Sequence, residues 1–368
     1  MRIRPLETLL FCCLRLAKAM DNRERGAANF DPAQVQNILV VSSTAIGDTL
    51  LSTPAIRAVR ERYPQARIIA LFNAKNMALF ADNPHVDGVV PYHGGYRRFL
   101  RTVLALRTYR FDLALIFHGN EPQATPLAYL AGARFIFKLP VPRENAFLLS
   151  NSPVPIAGLH AVDVRLKTAS LAACPPVGRE MILAPAPEDE NAVAAFLAGH
   201  NILPDAVLIG FQVGAANSYK MWPKECFIEL GKRLVADLPA ARLLITGSPS
   251  ERWLCEDVAA GIGPSALSTA GEISLTSLRG LVSRMKVLVS NDTGTMHMAV
   301  ALGTPTVSLF CPTDAATIGP SQDMHRHIVI QKFAPCAPCG TKRCQEPYCM
   351  ETISVDEVYA SVKELAYR

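Results

Sequence analysis

Ile38-Leu39-Val40-Val41-Ser42-Ser43-Thr44-Ala45-Ile46-Gly47-Asp48 is the stretch on which the fold turns. Its four aliphatic residues run without polar alternation, which suits a strand buried on both faces, and they empty into a loop of small and hydroxyl-bearing residues. A helix pattern follows over residues 54–62 and a second strand pattern over 67–72. Strand, helix and strand in that order predict a parallel pair joined by a crossover.

Working outward, the alternation continues with strands at 86–90, 112–117 and 134–139, a basic helix over 97–107 and a helix near Leu127. An irregular, proline-rich stretch occupies 141–155. A second series opens with a strand over 206–213. It proceeds through a helix from Lys224, a strand at 242–246, helices from Glu251 and Ser274, a strand at 287–290, a helix from Thr295 and a strand at 305–310. Residues 185–204 read as a hinge region. The fold class expected is α/β, two doubly wound units whose post-strand loops face a shared cleft, because ligands of such sheets bind beyond the strands' carboxyl ends.

At 368 residues, with about 150 residues per domain, two domains are expected. A chain that is 50% hydrophobic and 19% charged is not disordered, collagen-like or a coiled coil. Its net charge of +5 falls short of a nucleic-acid coat and suits an anionic substrate or membrane surface. No apolar run reaches the roughly 18 residues needed to cross a bilayer. At the amino terminus Leu6, Leu9, Leu10, Cys13, Ala17 and Met20 recur at helical spacing beside Arg2, Arg4, Arg15 and Lys18. Such a helix either lies on anionic lipid or packs on the first domain, and Glu7 and Arg15 argue against a cleaved signal peptide. Of the ten cysteines, Cys12, Cys13, Cys174, Cys226, Cys255 and Cys311 are scattered in apolar or helical contexts, which points to a reducing cytosol. Cys336, Cys339, Cys344 and Cys349 form a candidate structural zinc site, with disulfides or free thiols as the alternatives; four thiolates would leave no open coordination position.

The loop after the first strand has one glycine, Gly47, and so lacks the dinucleotide fingerprint. Asp48 there is either a helix cap or a general base at a cleft mouth, with Thr53-Pro54 offering a better cap. In the second half, the segment from Gln212 to Pro223 contains Gly214 and Asn217, small residues that let backbone approach a ligand, and Lys220, a cation that can sit on phosphate or merely be solvated. The run Ser290-Asn291-Asp292-Thr293-Gly294-Thr295-Met296-His297 takes a buried strand into a glycine-bearing turn and a helix start, where amides bind anions. Asp292 either accepts bonds from sugar hydroxyls or, like Thr293, caps the helix; His297 either serves the ligand or packs. Glu251 either bridges ribose hydroxyls or occupies the first turn of its helix. Arg97, Arg98, Arg101, Arg107 and Arg110 form a solvated face or a patch for phosphates and carboxylates.

Gly47-Asp48 with Ser52, Pro54 and Ala55, Lys220 with Trp222-Pro223, and the Ser290 to His297 run together resemble the ADP-heptose:lipopolysaccharide heptosyltransferases, glycosyltransferase family 9, over residues 37–365. The resemblance implies a GT-B fold of two Rossmann-like domains. It gives an extension at 1–36, an acceptor domain at 37–185, a donor domain at 186–350 and a last helix at 351–368 returning to the first domain. It also implies inverting, metal-independent heptose transfer from ADP-L-glycero-β-D-manno-heptose to the lipopolysaccharide inner core, with no cofactor and no nucleic-acid partner. The resemblance further implies a lipid-linked acceptor, and with it a protein in the cytoplasm, peripheral on the inner face of the inner membrane.

By the same resemblance Asp48 is the base, Lys220 holds phosphate, Thr293 and Gly294 form the diphosphate turn and Asp292 contacts the donor sugar. Gly214, Asn217, Glu251, Ile273 and His297 complete the donor site, with Ile273 near the adenine. Gly47, Arg97, Arg98, His118 and Asn120 fall to the acceptor. The His118-Gly119-Asn120 sequence departs from the usual pattern, as does the lack of paired hydroxyls near Gly214. Two other readings stay open: the same scaffold with another nucleotide-sugar, and a nucleotide-sugar-binding protein of envelope assembly without turnover.

Overall fold

The computed structural model describes residues 5–22, 25–119, 122–311, 313–333 and 348–367, and the chain divides into two compact units, Met1–Arg179 and Glu180–Arg368. In the first unit the strands are β1 (Asn37–Ser42), β2 (Arg67–Asn73), β3 (Gly88–Tyr92), β4 (Leu113–His118) and β5 (Phe135–Lys138), all parallel in the order β3-β2-β1-β4-β5. The helices are α1 (Pro5–Ala19), α2 (Ile46–Leu50), α3 (Thr53–Arg62), α4 (Phe99–Arg107), α5 (Ala124–Leu130) and α6 (Ala161–Ser170). Leu39, Val41, Leu71 and Ile116 from the sheet share one core with Val103 and Leu106 of α4, Leu127 of α5, and Phe11 and Leu14 of α1. The extension before β1 is therefore built into the first unit. On the sheet's other face α6 packs against α3 and β4.

The second unit contains β6 (Val207–Gln212), β7 (Ala241–Thr246), β8 (Ala266–Ser268), β9 (Val287–Asn291), β10 (Thr306–Phe310) and β11 (His327–Gln331), ordered β11-β10-β9-β6-β7-β8 and again parallel. Its helices are α7 (Pro187–Gly199), α8 (Lys224–Asp237), α9 (Arg252–Ile262), α10 (Leu275–Ser283), α11 (Gly294–Leu302), α12 (Ala315–Ile318) and α13 (Val355–Ala366).

Two expectations fail here. The hinge expected at 185–204 is largely α7, packed on α10. Its proline sits in the first turn, followed by three carboxylates, the chemistry of a helix start. Asp189 of α7 is buried against Arg279 of α10, which donates from Nε at 2.8 Å. The unit boundary accordingly falls at Arg179, ahead of the expected 185. The last helix also departs from expectation: α13 belongs to the second unit and packs on α8, β9 and β10. Val358, Val362 and Leu365, spaced to share a helix face, join Phe227, Leu230 and Leu234 in one core. Arg233–Asp356 at 2.7 Å and Lys363–Asp237 at 2.9 Å border that contact. Among the described residues no helix is long and apolar enough to cross a membrane.

Candidate functional site

Each sheet winds outward from its first strand and then returns to that strand's other side, to β4 in the first unit and β9 in the second. Successive loops leave such a pair in opposite directions and open a crevice at the carboxyl ends. In the first unit the crevice lies after β1 and β4, where Gly47, Asp48 and His118 sit; in the second it lies after β6 and β9, where Gly214, Lys220, Asp292 and Thr293 sit.

Asp48 stands in the first turn of the short helix α2, and its carboxylate takes the backbone amide of the N-cap residue Ala45, so the capping reading is realised in part. Oδ2 accepts the Thr44 hydroxyl at 2.8 Å, and Oδ1 accepts Arg165 Nη2–H at 3.2 Å. Arg165, on α6 and almost fully buried, also donates from Nε to Ser52 Oγ at 3.0 Å and from Nη1 to the Ala161 carbonyl at 2.8 Å. The Ser52 hydroxyl in turn donates to the Asp48 carbonyl at 2.7 Å. One guanidinium thus fixes both the carboxylate and the backbone that presents it. Ser52, and not Thr53, stands at the N-cap position of α3.

His118 is aimed at the same carboxylate by an irregularity in the sheet. Val41 pairs with Ile116 but Ser42 pairs with His118, so β4 has one extra residue, Phe117, at that point. A bulge of this kind turns the following side chain. His118 Nδ1 lies 2.6 Å from Thr44 Oγ1, and Nε2 lies 3.5 Å from Asp48 Oδ1.

Burial opposes the charge on Asp48. His118, Arg165, the Thr44 hydroxyl and the Ala45 amide outweigh it and hold the carboxyl below its ordinary value. Burial also pulls Arg165 down, to about 10, against the opposing effect of Asp48, which leaves it a cation at pH 7. His118 is lowered by burial, then by Arg165 and Lys138, with Asp48 pulling the other way. A lowered imidazole is neutral at pH 7, so at that pH Arg165, Thr44 and Ala45 sustain the Asp48 charge. The first unit therefore presents an ionised carboxylate beside a neutral imidazole.

In the second unit Lys220 closes a 3-10 turn and pairs with Asp292, Nζ to Oδ2 at 2.5 Å; the Thr313 hydroxyl donates to the same oxygen at 2.8 Å. Neither capping alternative is realised: Thr293 is the N-cap residue of α11 without a side-chain cap bond, its hydroxyl lying 3.2 Å from Ser290 Oγ. Asn291 ties the two loops together, accepting the Trp222 amide at 3.0 Å and donating to the Gln212 and Val213 carbonyls at 3.3 and 2.9 Å. Trp222 is fully buried, its indole N–H bonded to the Ile353 carbonyl at 3.0 Å. Glu251 realises the helix-start reading. Oε2 accepts the Ser248 amide and hydroxyl, each at 2.7 Å, while Oε1 lies so close to Gly214 that a Cβ there would meet it at 1.9 Å. A side chain at Gly214 would have to displace that carboxylate.

Asn217 is exposed, Ile273 half-buried and His297 buried within α11. Arg97 and Arg98 stand after β3 at the opening of α4. Arg98 lines a pocket of about 210 Å³ with His93, Arg101 and Thr102, apart from the Asp48 cluster. Asn120 and three of the cysteines, Cys336, Cys339 and Cys344, lie outside the described residues. Cys349 Sγ lies 4.0 Å from the Tyr219 carbonyl. Sequence reasoning missed Thr44, Arg165, Asn291 and Thr313. Arg165 had one legible signal, a cation at the i+3 position from Val162 on a face continued by Thr168 and Ala169, all four buried.

The family model for glycosyltransferase family 9 (heptosyltransferase) matches residues 102–349. Lipopolysaccharide heptosyltransferase 2 of Salmonella typhimurium is 25% identical over 293 residues, covering 75% of this chain and 83% of that one. Lipopolysaccharide heptosyltransferase 1 of Pseudomonas aeruginosa is 27% identical over 334 residues, covering 83% and 87%. The solved structure of E. coli ADP-heptose lps heptosyltransferase II superposes with a TM-score of 0.74 at 23% identity, covering 90% of this chain and 99% of that one. A glycosyl transferase family 9 structure from Veillonella parvula gives 0.78 at 19% identity, covering 90% and 97%. The fold is GT-B, built of two Rossmann-like units, and the chain belongs to glycosyltransferase family 9, the heptosyltransferases.

Proposed function

We propose that this glycosyltransferase moves a heptose from ADP-L-glycero-β-D-manno-heptose to a sugar of the lipopolysaccharide inner core, with inversion at the anomeric carbon. The observation that carries the reading is Asp48, a carboxylate kept ionised at a crevice by the buried Arg165 and the Thr44 hydroxyl in addition to the helix-start amide of Ala45. An inverting transfer needs a base for the acceptor hydroxyl and cationic or amide donors for the departing diphosphate. Asp48 supplies the first. Lys220 and the amides of Thr293 and Gly294 supply the second, with Asp292 releasing Lys220 to phosphate and turning to the sugar hydroxyls. Glu251 Oε1 is the ribose contact, Oε2 being committed to Ser248; Gly214, Asn217, Ile273 and His297 shape the rest of the nucleotide site. Gly47, His118, Asn120 and the Arg97–Arg98 pair serve an anionic acceptor.

Peripheral membrane contact fits the same acceptor. On α1 Leu9 and Leu16 are 63% and 68% exposed, and Met20 just beyond it is 81% exposed, a second apolar stripe opposite the one buried by Phe11 and Leu14. Incubation with ADP-heptose and a heptose-deficient core acceptor should yield a heptosylated core and ADP. Failure with every core acceptor, or a thermal shift favouring UDP or GDP over ADP, would overturn the reading.

A further inference from the structure

Thr44 has one hydroxyl proton and two close partners. The Asp48 carboxylate can only accept, so at 2.8 Å the proton of Thr44 points to Asp48 Oδ2. The 2.6 Å contact between Thr44 Oγ1 and His118 Nδ1 is then a hydrogen bond only if the imidazole donates. His118 must therefore hold a proton on Nδ1, and in the neutral ring Nε2 is left as a lone pair, 3.5 Å from Asp48 Oδ1. The tautomer follows from the donor count of Thr44.

Arg165 adds a second constraint. It is buried and directs Nη2 at Asp48 Oδ1, the same oxygen that faces Nε2. A proton resting on Oδ1 would break that pair and leave a buried cation without its counter-charge. Asp48 is thus a good place for a proton to arrive and a poor place for it to stay.

We propose that His118 is the destination of the acceptor proton: Asp48 Oδ1 takes it from the attacking hydroxyl and passes it to His118 Nε2. The inference rests on the general-base reading of Asp48. The acceptor oxygen uses the electron pair of its O–H bond to form the new bond to the heptose anomeric carbon. The bond from that carbon to the diphosphate oxygen breaks, and ADP leaves with the pair. The proton crosses to Nε2, which restores the Asp48–Arg165 pair, and leaves from the imidazolium to water, His118 having 43% of its side chain exposed. The charged groups facing His118 are Asp48 from α2, Arg165 from α6 and Lys138 from β5.

Two measurements test this. Nitrogen-15 histidine spectra of the free wild-type protein at pH 7.5 should place the His118 proton on Nδ1, and T44V should abolish that preference; an Nε2–H tautomer in the wild type overturns the proposal. In transfer assays H118N keeps a donor for Thr44 but has no nitrogen at the Nε2 position. It should lower kcat by about ten- to a hundredfold and move the acid limb of the kcat/KM profile to lower pH, since loss of activity then awaits protonation of Asp48. A profile that superposes on wild type, or a slower enzyme with an unmoved acid limb, overturns it. Absence of transfer by the wild type would strike the heptosyl-transfer reading instead, and the tautomer measurement would still decide the geometry.

Discussion

The two crevices hold their carboxylates by different means. In the first unit Asp48 is paired with Arg165, a buried cation with 5% of its side chain exposed and itself bonded to Ser52 and the Ala161 carbonyl. In the second unit Asp292 is the buried member, at 7%, and its cation Lys220 sits on a loop turn with 19% exposed. A guanidinium locked by several bonds cannot change partners; an ammonium on a flexible stem can. In the proposed function the first pair keeps one carboxylate ionised and fixed, and the second frees a cation for an arriving phosphate. That difference is what the proposed division of labour between a base and a leaving-group site calls for.

A third pair, Asp189–Arg279, has the same chemistry, joins α7 to α10 and serves as the structural control, with both side chains buried. Arg279→Met should cost about 3–5 kcal/mol of stability, read by denaturant unfolding, because it strands a buried carboxylate. Transfer per folded molecule should be unchanged. A loss of kcat matching that of the crevice variants would erase the contrast.

Arg165→Met should slow transfer by about a hundredfold while leaving ADP affinity intact. It should also shift the acid limb to higher pH, because Arg165 lowers both Asp48 and His118. An acid limb that moves down would contradict the assigned electrostatics. Lys220→Met should weaken ADP binding by about ten- to a hundredfold, the range for a lost hydrogen bond between charged groups, measured by calorimetry. Its acid limb should stay where it is, and movement there would mean that the two sites do not divide the labour as described. The smallest effect is in the fold itself. Asp48 is lowered in the folded state, so the stability it contributes is present above its ordinary value of 3.8 and is lost as pH falls below it. Acid unfolding of Asp48→Asn should lack that component.

Most strands could be read directly, because buried parallel strands are written as short aliphatic runs such as Leu39 to Val41 and Val287 to Val289. Pro187 misled in the other direction, marking a helix start where a hinge was expected. The positions of the candidate residues Asp48, Lys220 and Asp292 were legible because their motifs follow directly on buried strands. The electrostatics around them were not. Arg165 reaches Asp48 across 117 residues of sequence, and His118 depends on a bulge that exists only once β1 and β4 have paired. The placement of α13 was a matter of tertiary choice, since its apolar stripe fits whichever core offers a groove; here that groove is lined by α8.

The central claim is that Asp48 deprotonates the acceptor. Single-turnover transfer by Asp48→Asn, with ADP-heptose affinity measured on the same preparation, tests it most directly. The account requires a loss of at least about a thousandfold in the transfer step with donor affinity within a few-fold of wild type. Transfer at the wild-type rate by this variant would contradict it.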